Sequence, residues 1–214
     1  MALIIVGAIF AAIAARKRRE AFGTLAARLG LAFSSDQDRE IASRFKFLDR
    51  LAQGSNRYAY NILLGDYRGH RVMVFDYHYE THSTDSKGRR QTHHHHFSFF
   101  ILMMERSFPE LTITSEGIFS KLAQAIGYDD IDFESHEFSR KFCVRSANKK
   151  FAYDVCHVRM MEYLLANDDL NIEIDEFALA IAFDSTLAPE AIEPNLQRLL
   201  HLRSLLPNYL FTTN

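Results

Sequence analysis

The sequence predicts an α+β protein: an N-terminal membrane helix followed by a single domain built on a long antiparallel meander. Three observations predict it. Strand-type runs at 57–67, 70–82 and 92–104 follow one another with only short polar breaks. Helix-type apolar spacing recurs before and after these runs rather than between them, so there is no βαβ alternation. An uncharged apolar stretch opens the chain and ends at four consecutive basic residues.

Residues 2–15, ALIIVGAIFAAIAA, carry no charge, and Arg16, Lys17, Arg18 and Arg19 follow directly. As a helix this run is about 21 Å long at 1.5 Å per residue, against about 30 Å for a bilayer core. Snorkelling basic side chains make up part of the difference. A secretory signal places its positive residues before the apolar run, and here they come after it. The small residues at 12–15 resemble a cleavage site only weakly. The expectation is a short membrane anchor over 1–19, touching the membrane through residues 2–19, and one domain over 20–214; the competing reading is a buried or interfacial helix, or a start codon placed too far downstream. Basic residues beside a span stay on the cytoplasmic side. That makes the chain a single-pass protein of the inner, cytoplasmic membrane with its domain facing the cytoplasm.

Residues 18–30 continue as a helix, with Phe22, Leu25, Ala26 and Leu29 on one side and Gly30 closing it. Ser35-x-x-Asp38 resembles a capping box and predicts a second helix over 36–45. A loop at 53–56 leads into the first long strand, and Arg68-Gly69 turns it into the next. In 71–82 the side chains alternate. Met73, Phe75, Tyr77 and Tyr79 share one face; Asp76, His78, Glu80 and His82 share the other. The returning strand repeats the pattern, with Phe97, Phe99 and Ile101 against His94, His96 and Ser98. Joining the apolar faces sets Tyr77 opposite Phe97, Phe75 opposite Phe99, His78 opposite His96 and Glu80 opposite His94. The loop of this hairpin is 83–91.

Beyond it, 111–114 reads as a short strand. Ser115 then caps a helix with Ile118, Phe119, Leu122 and Ile126 on one side, closing at Gly127. Short strands follow at 131–134 and 141–146, then a helix over 149–166. A last hairpin, 170–174 and 177–183, turns at Asp175-Glu176. The final helix, 188–206, has Pro189 near its start and Pro207 at its end. About four helices are thus expected to pack on the sheet.

The predicted register gathers His78, Glu80, His94 and His96 into one patch, because facing side chains on a sheet lie about 5 Å apart at Cβ. Asp76 and His82 lie at its margins. Imidazole and carboxylate are the usual ligands of zinc, so the four are candidate metal ligands and zinc the candidate ion. The competing readings are a wet polar face of a sheet whose other face is core, and a cluster that titrates near pH 6–7.

Other chemistry is not signalled. No C-x-x-C, H-E-x-x-H, phosphate-binding glycine loop or G-x-S-x-G occurs. Cys143 and Cys156, the only cysteines, make no disulfide scaffold and read as free thiols. Cys156 adjoins His157, but neighbours on a helix point about 100° apart and do not form a nucleophile–base pair. Asp129-Asp130 and Asp168-Asp169 read as solvated charges or caps. Net charge is −2, and the basic cluster leaves −6 for residues 20–214, which argues against nucleic acid as a partner.

Several segments resemble a family of uncharacterised bacterial proteins: RYAYNILLG at 57–65, VFDY at 74–77, ESHEFSRKFCV at 134–144 and FAYDVCHVRMMEYLL at 151–165. The resemblance spans most of 30–206 and implies a short N-terminal membrane segment before a cytoplasmic α+β domain. That family carries no assigned activity, so it supplies no functional residue. The functional expectation is a membrane-tethered cytoplasmic interaction or regulatory domain without enzymatic activity. The alternative is a metal-binding protein or metalloenzyme using His78, Glu80, His94 and His96.

Overall fold

The computed structural model describes residues 2–115 and 130–212. The helix expected after Ser115 falls outside them. Helix α1, Ala2–Leu29, runs unbroken through the basic cluster and stops at Gly30, whose φ of +72° suits glycine. Among the described residues no helix is long and apolar enough to cross a membrane. This corrects the expected membrane helix, the membrane contact through residues 2–19 and the single-pass placement in the cytoplasmic membrane. The physical reason is where α1 goes. Its apolar run stops at Ala15, and past the charges Phe22, Leu25 and Ala26 are buried in the core of the domain. A fully buried phenylalanine or leucine contributes about 1.5–3 kcal/mol.

A three-residue strand, β1 (Ala32–Ser34), and two short helices, α2 (Glu40–Arg44) and α3 (Asp49–Ala52), precede the meander. The second helix is shorter than its spacing predicts. Asp38 starts it, accepting from the backbone N–H groups of Glu40 (2.7 Å) and Ile41 (3.1 Å). The meander is β2 (Ser55–Tyr67), β3 (His70–Thr84) and β4 (Arg90–Ser115). Arg68 and Gly69, at φ +50° and +82°, make the two-residue turn between β2 and β3. β4 absorbs the strand expected separately at 111–114.

After the undescribed segment come α4 (His136–Lys141), β5 (Phe142–Arg145), α5 (Lys149–Val155) and α6 (Val158–Leu165). Residues 131–134 form no strand, although the Ile131 N–H donates to the Val144 carbonyl at 2.8 Å. The helix expected over 149–166 is broken at Cys156-His157. His157 is extended (φ −70°, ψ 168°), and its Nε2 lies 2.8 Å from the Leu205 carbonyl. β6 (Asn171–Ala182) replaces the expected last hairpin. Asp175-Glu176 is a bulge opposite Phe108, with Glu176 at φ +46°, and not a turn. α7 (Pro189–Leu205) and a 3₁₀ turn (Asn208–Leu210) end the described chain.

The six strands form one antiparallel sheet in the order β1-β2-β3-β4-β5, with β6 also paired to β4. Both faces are covered. On one, Ile41, Phe45, Leu48 and Leu51 lie over Met73, Phe75, Tyr77, Phe97, Phe99 and Ile101. On the other, α1 and the later helices bury Val72, Val74, Phe100 and Leu102. The face that carries Asp76, His78 and Glu80 is therefore the continuation of a core face.

Candidate functional site

β3 and β4 pair in the predicted register: Phe75 with Phe99, Tyr77 with Phe97, His78 with His96, and Glu80 with His94. Along this face burial falls away in steps. Asp76 and Ser98 are fully buried, His78 is 2% exposed, and His94 is mostly in solvent. The reading of a uniformly wet polar face fails at the inner end, where α1 covers it.

That inner end is an ion pair. Arg18 donates from Nε to Asp76 Oδ2 (3.1 Å), and from Nη2 to Oδ1 (3.0 Å) and Oδ2 (2.9 Å). Asn61 Nδ2 and Ser98 Oγ each donate to the same carboxylate at 2.8 Å. Every lone pair of a buried charge is thereby engaged, which such a charge requires. Above the pair lies a cleft of about 360 Å³ bordered by Arg18, Arg19, Tyr58, Tyr60 and His96.

At the outer end three ligating groups converge. His78 Nε2 lies 3.1 Å from His94 Nδ1, which lies 3.5 Å from Glu80 Oε1. One ligating atom each from His78, Glu80 and His94 falls within 4.8 Å of the others. His78 is clamped. Its ring stacks on Tyr58 at 4.5 Å, and its Nδ1 lies 3.1 Å from the Asn56 carbonyl. A carbonyl can only accept, so Nδ1 carries a proton, and whenever the ring is neutral its Nε2 presents a lone pair toward His94.

Asn56 organises the rest. Its Nδ2 donates to Glu80 Oε1 at 2.6 Å, and its own Oδ1 accepts from Arg39 Nη1 at 2.9 Å. The Asn56 amide, with the nearby histidines, holds the Glu80 carboxyl below the usual carboxylate range. Asn56 sits at φ +48°, where the β2–β3 register shifts between Ser55 and Tyr58. Asn61, at φ +50° and a second shift, serves Asp76 in the same way. Two bulges thus turn two asparagines onto two acids of β3. Sequence reasoning missed both, although asparagine inside a strand-type run is a poor strand former that tolerates left-handed backbone.

His96 stands beside this group and is engaged elsewhere. Its ring centroid is 4.7 Å from that of His78, and its Nδ1 is 3.0 Å from the Tyr60 hydroxyl. Partial burial, then the neighbouring His78 and His94, lower its pKa. The remaining histidines of the run face the opposite side. His95 stacks on Tyr79 at 4.5 Å and reaches Thr81 at 2.8 Å, and His93 reaches Ser83 at 2.8 Å. His82 lies between Thr92 (3.2 Å) and Ser55 (3.3 Å).

The thiols are inert. Burial pushes the Cys143 pKa up to about 12 and raises that of Cys156 as well. His157 turns its Nε2 to Leu205 rather than to Cys156.

No family model and no curated protein matches the sequence. A crystal structure of the mycobacterial trehalose monomycolate transport factor A, TtfA, shares the fold. It aligns over 89% of this chain and 95% of its own, with a TM-score of 0.60 and 14% identity. At that identity the likeness concerns architecture alone.

Proposed function

We propose that this chain is a non-enzymatic domain that works by holding a protein partner, and that the tip of the β3–β4 hairpin is the part that meets it. The observation that carries the reading is the tip itself. β2 accompanies β3 as far as Glu80, and β6 accompanies β4 only from Phe99 onward. Past those points the two strands run on alone, Thr81 to Thr84 against Arg90 to His93.

A bare two-stranded ribbon is marginal in water, yet this one is braced. Ser83–His93 and His82–Thr92 tie its strands across, and Asp85 closes the loop by accepting from the Lys87 and Arg89 N–H groups at 2.9 Å each. Residues 82–84 and 90–94 are exposed and add nothing to either core cluster. Order without a share in the core is what a recognition element requires, because a preorganised surface loses little entropy on binding. Sharing a fold with a protein named as a transport factor fits a role exercised through other proteins.

The test shortens the tip, replacing residues 83–91 by Asn-Gly and leaving Glu80 and His94 in place. Crosslinking in the native cells, with crosslinks mapped by mass spectrometry, should join one defined protein to residues 82–92 of the full chain. The shortened chain should melt within about 3 °C of the parent and lose that crosslink. A partner retained by the shortened chain, or crosslinks that avoid the tip, would overturn the assignment.

A further inference from the structure

We infer that His78, Glu80 and His94 form a site for one zinc-class divalent ion at the root of the hairpin. The inference stands on its own geometry and does not depend on the partner reading.

The first argument is spacing. Ligands about 2.0–2.1 Å from a tetrahedral zinc stand about 3.3 Å from one another. Two of the three contacts among the ligating atoms are 3.1 Å (His78 Nε2 to His94 Nδ1) and 3.5 Å (His94 Nδ1 to Glu80 Oε1), and all three atoms lie within 4.8 Å of one another. With a neutral His78 the first contact is an N–H···N hydrogen bond in which His94 Nδ1 donates. An ion placed among the three atoms takes the position of that proton, which moves to His94 Nε2.

The second argument is support. Metal-binding imidazoles donate their other N–H to a carbonyl or carboxylate, and ligating carboxylates are themselves hydrogen-bonded. Both partners are supplied by one residue, Asn56: its carbonyl fixes the His78 tautomer and its amide fixes Glu80. Arg39 in turn fixes that amide. The Asn56 backbone is held in a left-handed conformation to do this. Asparagine adopts that conformation more readily than other non-glycine residues, so one residue can present its carbonyl and its amide to two neighbouring ligands.

The third argument is rigidity and access. His78 is buried and stacked on Tyr58, so the inner ligand is preset. The His94 side chain is 57% exposed, so the ion can enter and a fourth position faces water. Two imidazoles and one carboxylate favour zinc, cobalt, nickel or copper over magnesium or calcium, which prefer all-oxygen shells.

The rival explanation of any metal binding is the histidine run acting as an unstructured chelator. The two differ by face, because His93 and His95 point away from His78. The experiment is titration of the untagged full chain with zinc by calorimetry, together with the visible spectrum of cobalt(II) bound at equal stoichiometry.

We expect one ion per chain and the intense d–d bands of a four-coordinate site. Binding should be lost in His94→Ala and in the isosteric Glu80→Gln, and weakened about 10–100-fold in Asn56→Ala. The His93→Ala/His95→Ala double variant should keep both stoichiometry and spectrum. The thermal melt of each variant separates loss of the site from loss of the fold. Absence of binding to the parent would overturn the inference. So would binding that survives in a folded Glu80→Gln or His94→Ala, or binding that disappears in the His93→Ala/His95→Ala chain.

Discussion

Glu173 shows how far one side chain can set the response of the protein to pH. The Arg50 N–H donates to its Oε1 at 3.0 Å, while its Oε2 and the Oδ2 of Asp49 are buried without hydrogen-bond partners among the described residues. Burial first, then the Asp49 carboxylate, raises the Glu173 pKa from 4.5 to about 8, against the opposing pull of Arg50. The folded state therefore holds a proton that the unfolded chain releases. Below pH 4.5 both states are protonated and the group costs nothing; between pH 4.5 and about 8 the folded state steadily loses stability, and above that, with both states ionised, the loss levels off. Glu173→Gln removes that dependence. Urea melts should show it nearly neutral at pH 4.5 and stabilising by a few kcal/mol, at most about 5, at pH 8.5. A difference that stays flat across this range would mean the Glu173 carboxyl is already ionised in the fold.

Helix α1 shows why an element can be located correctly in a sequence and still be misread. The apolar run and the four charges are plain, and so is the Phe22, Leu25, Ala26 stripe. What the string of residues does not carry is that Asp76 waits, buried, 58 positions away from Arg18. Without that partner a basic cluster after an apolar run reads as the stop of a membrane segment. With it, Arg18 becomes the bolt that docks α1 on the sheet. The prediction follows at this scale. Removing one partner of a largely buried pair strands the other charge and costs about 3–5 kcal/mol. Arg18 is 24% exposed, so Arg18→Ala should fall toward the lower figure. A chain begun at residue 20 should lose as much, and Arg18→Met/Asp76→Leu should lose less than Arg18→Ala alone. Equal stability of the parent and Arg18→Ala in denaturant melts would show that α1 is held by Phe22, Leu25 and Ala26 without the ion pair.

The meander and its register were legible for the opposite reason. Period-two alternation over many residues admits only one pairing that joins Tyr77 to Phe97 and Phe75 to Phe99. The candidate site was legible only in part, because register offers His96 as readily as His94, and His96 turns to Tyr60. His78, Glu80 and His94 follow from register, but Asn56 depends on a bulge that no periodicity announces. Breaks were harder than elements. Cys156-His157 interrupts a helical pattern because His157 reaches Leu205, and Asp175-Glu176 looks like a turn although β4 is long enough to hold β6 straight past it.

At the scale of the whole molecule, β4 is the axis around which stability is distributed. Phe99, Phe100, Ile101 and Leu102 pair on one side with Phe75, Val74, Met73 and Val72, and on the other with Ala182, Ile181, Ala180 and Leu179. Their side chains reach alternately into the two core clusters. No opening frees these amides without parting two ladders and both cores, so they should exchange hydrogen only through global unfolding. The tip at 82–92 belongs to neither core and is held only by its own cross-strand and loop hydrogen bonds, so it should exchange by local opening, faster than the centre of β4. Hydrogen-exchange mass spectrometry on overlapping peptides checks this directly. The central β4 peptide should be the slowest in the protein and the tip peptide among the fastest, with His78 to Glu80 and His94 to His96 between them. Zinc adds a discriminating arm. An ion bound by His78, Glu80 and His94 ties β3 to β4 where the third strands end, so it should slow the intermediate peptides and leave the centre of β4 unchanged. Slowing spread evenly over the chain would instead mean that the ion acts on global stability, and slowing confined to 90–93 would place it at the tip of the hairpin rather than at His78, Glu80 and His94.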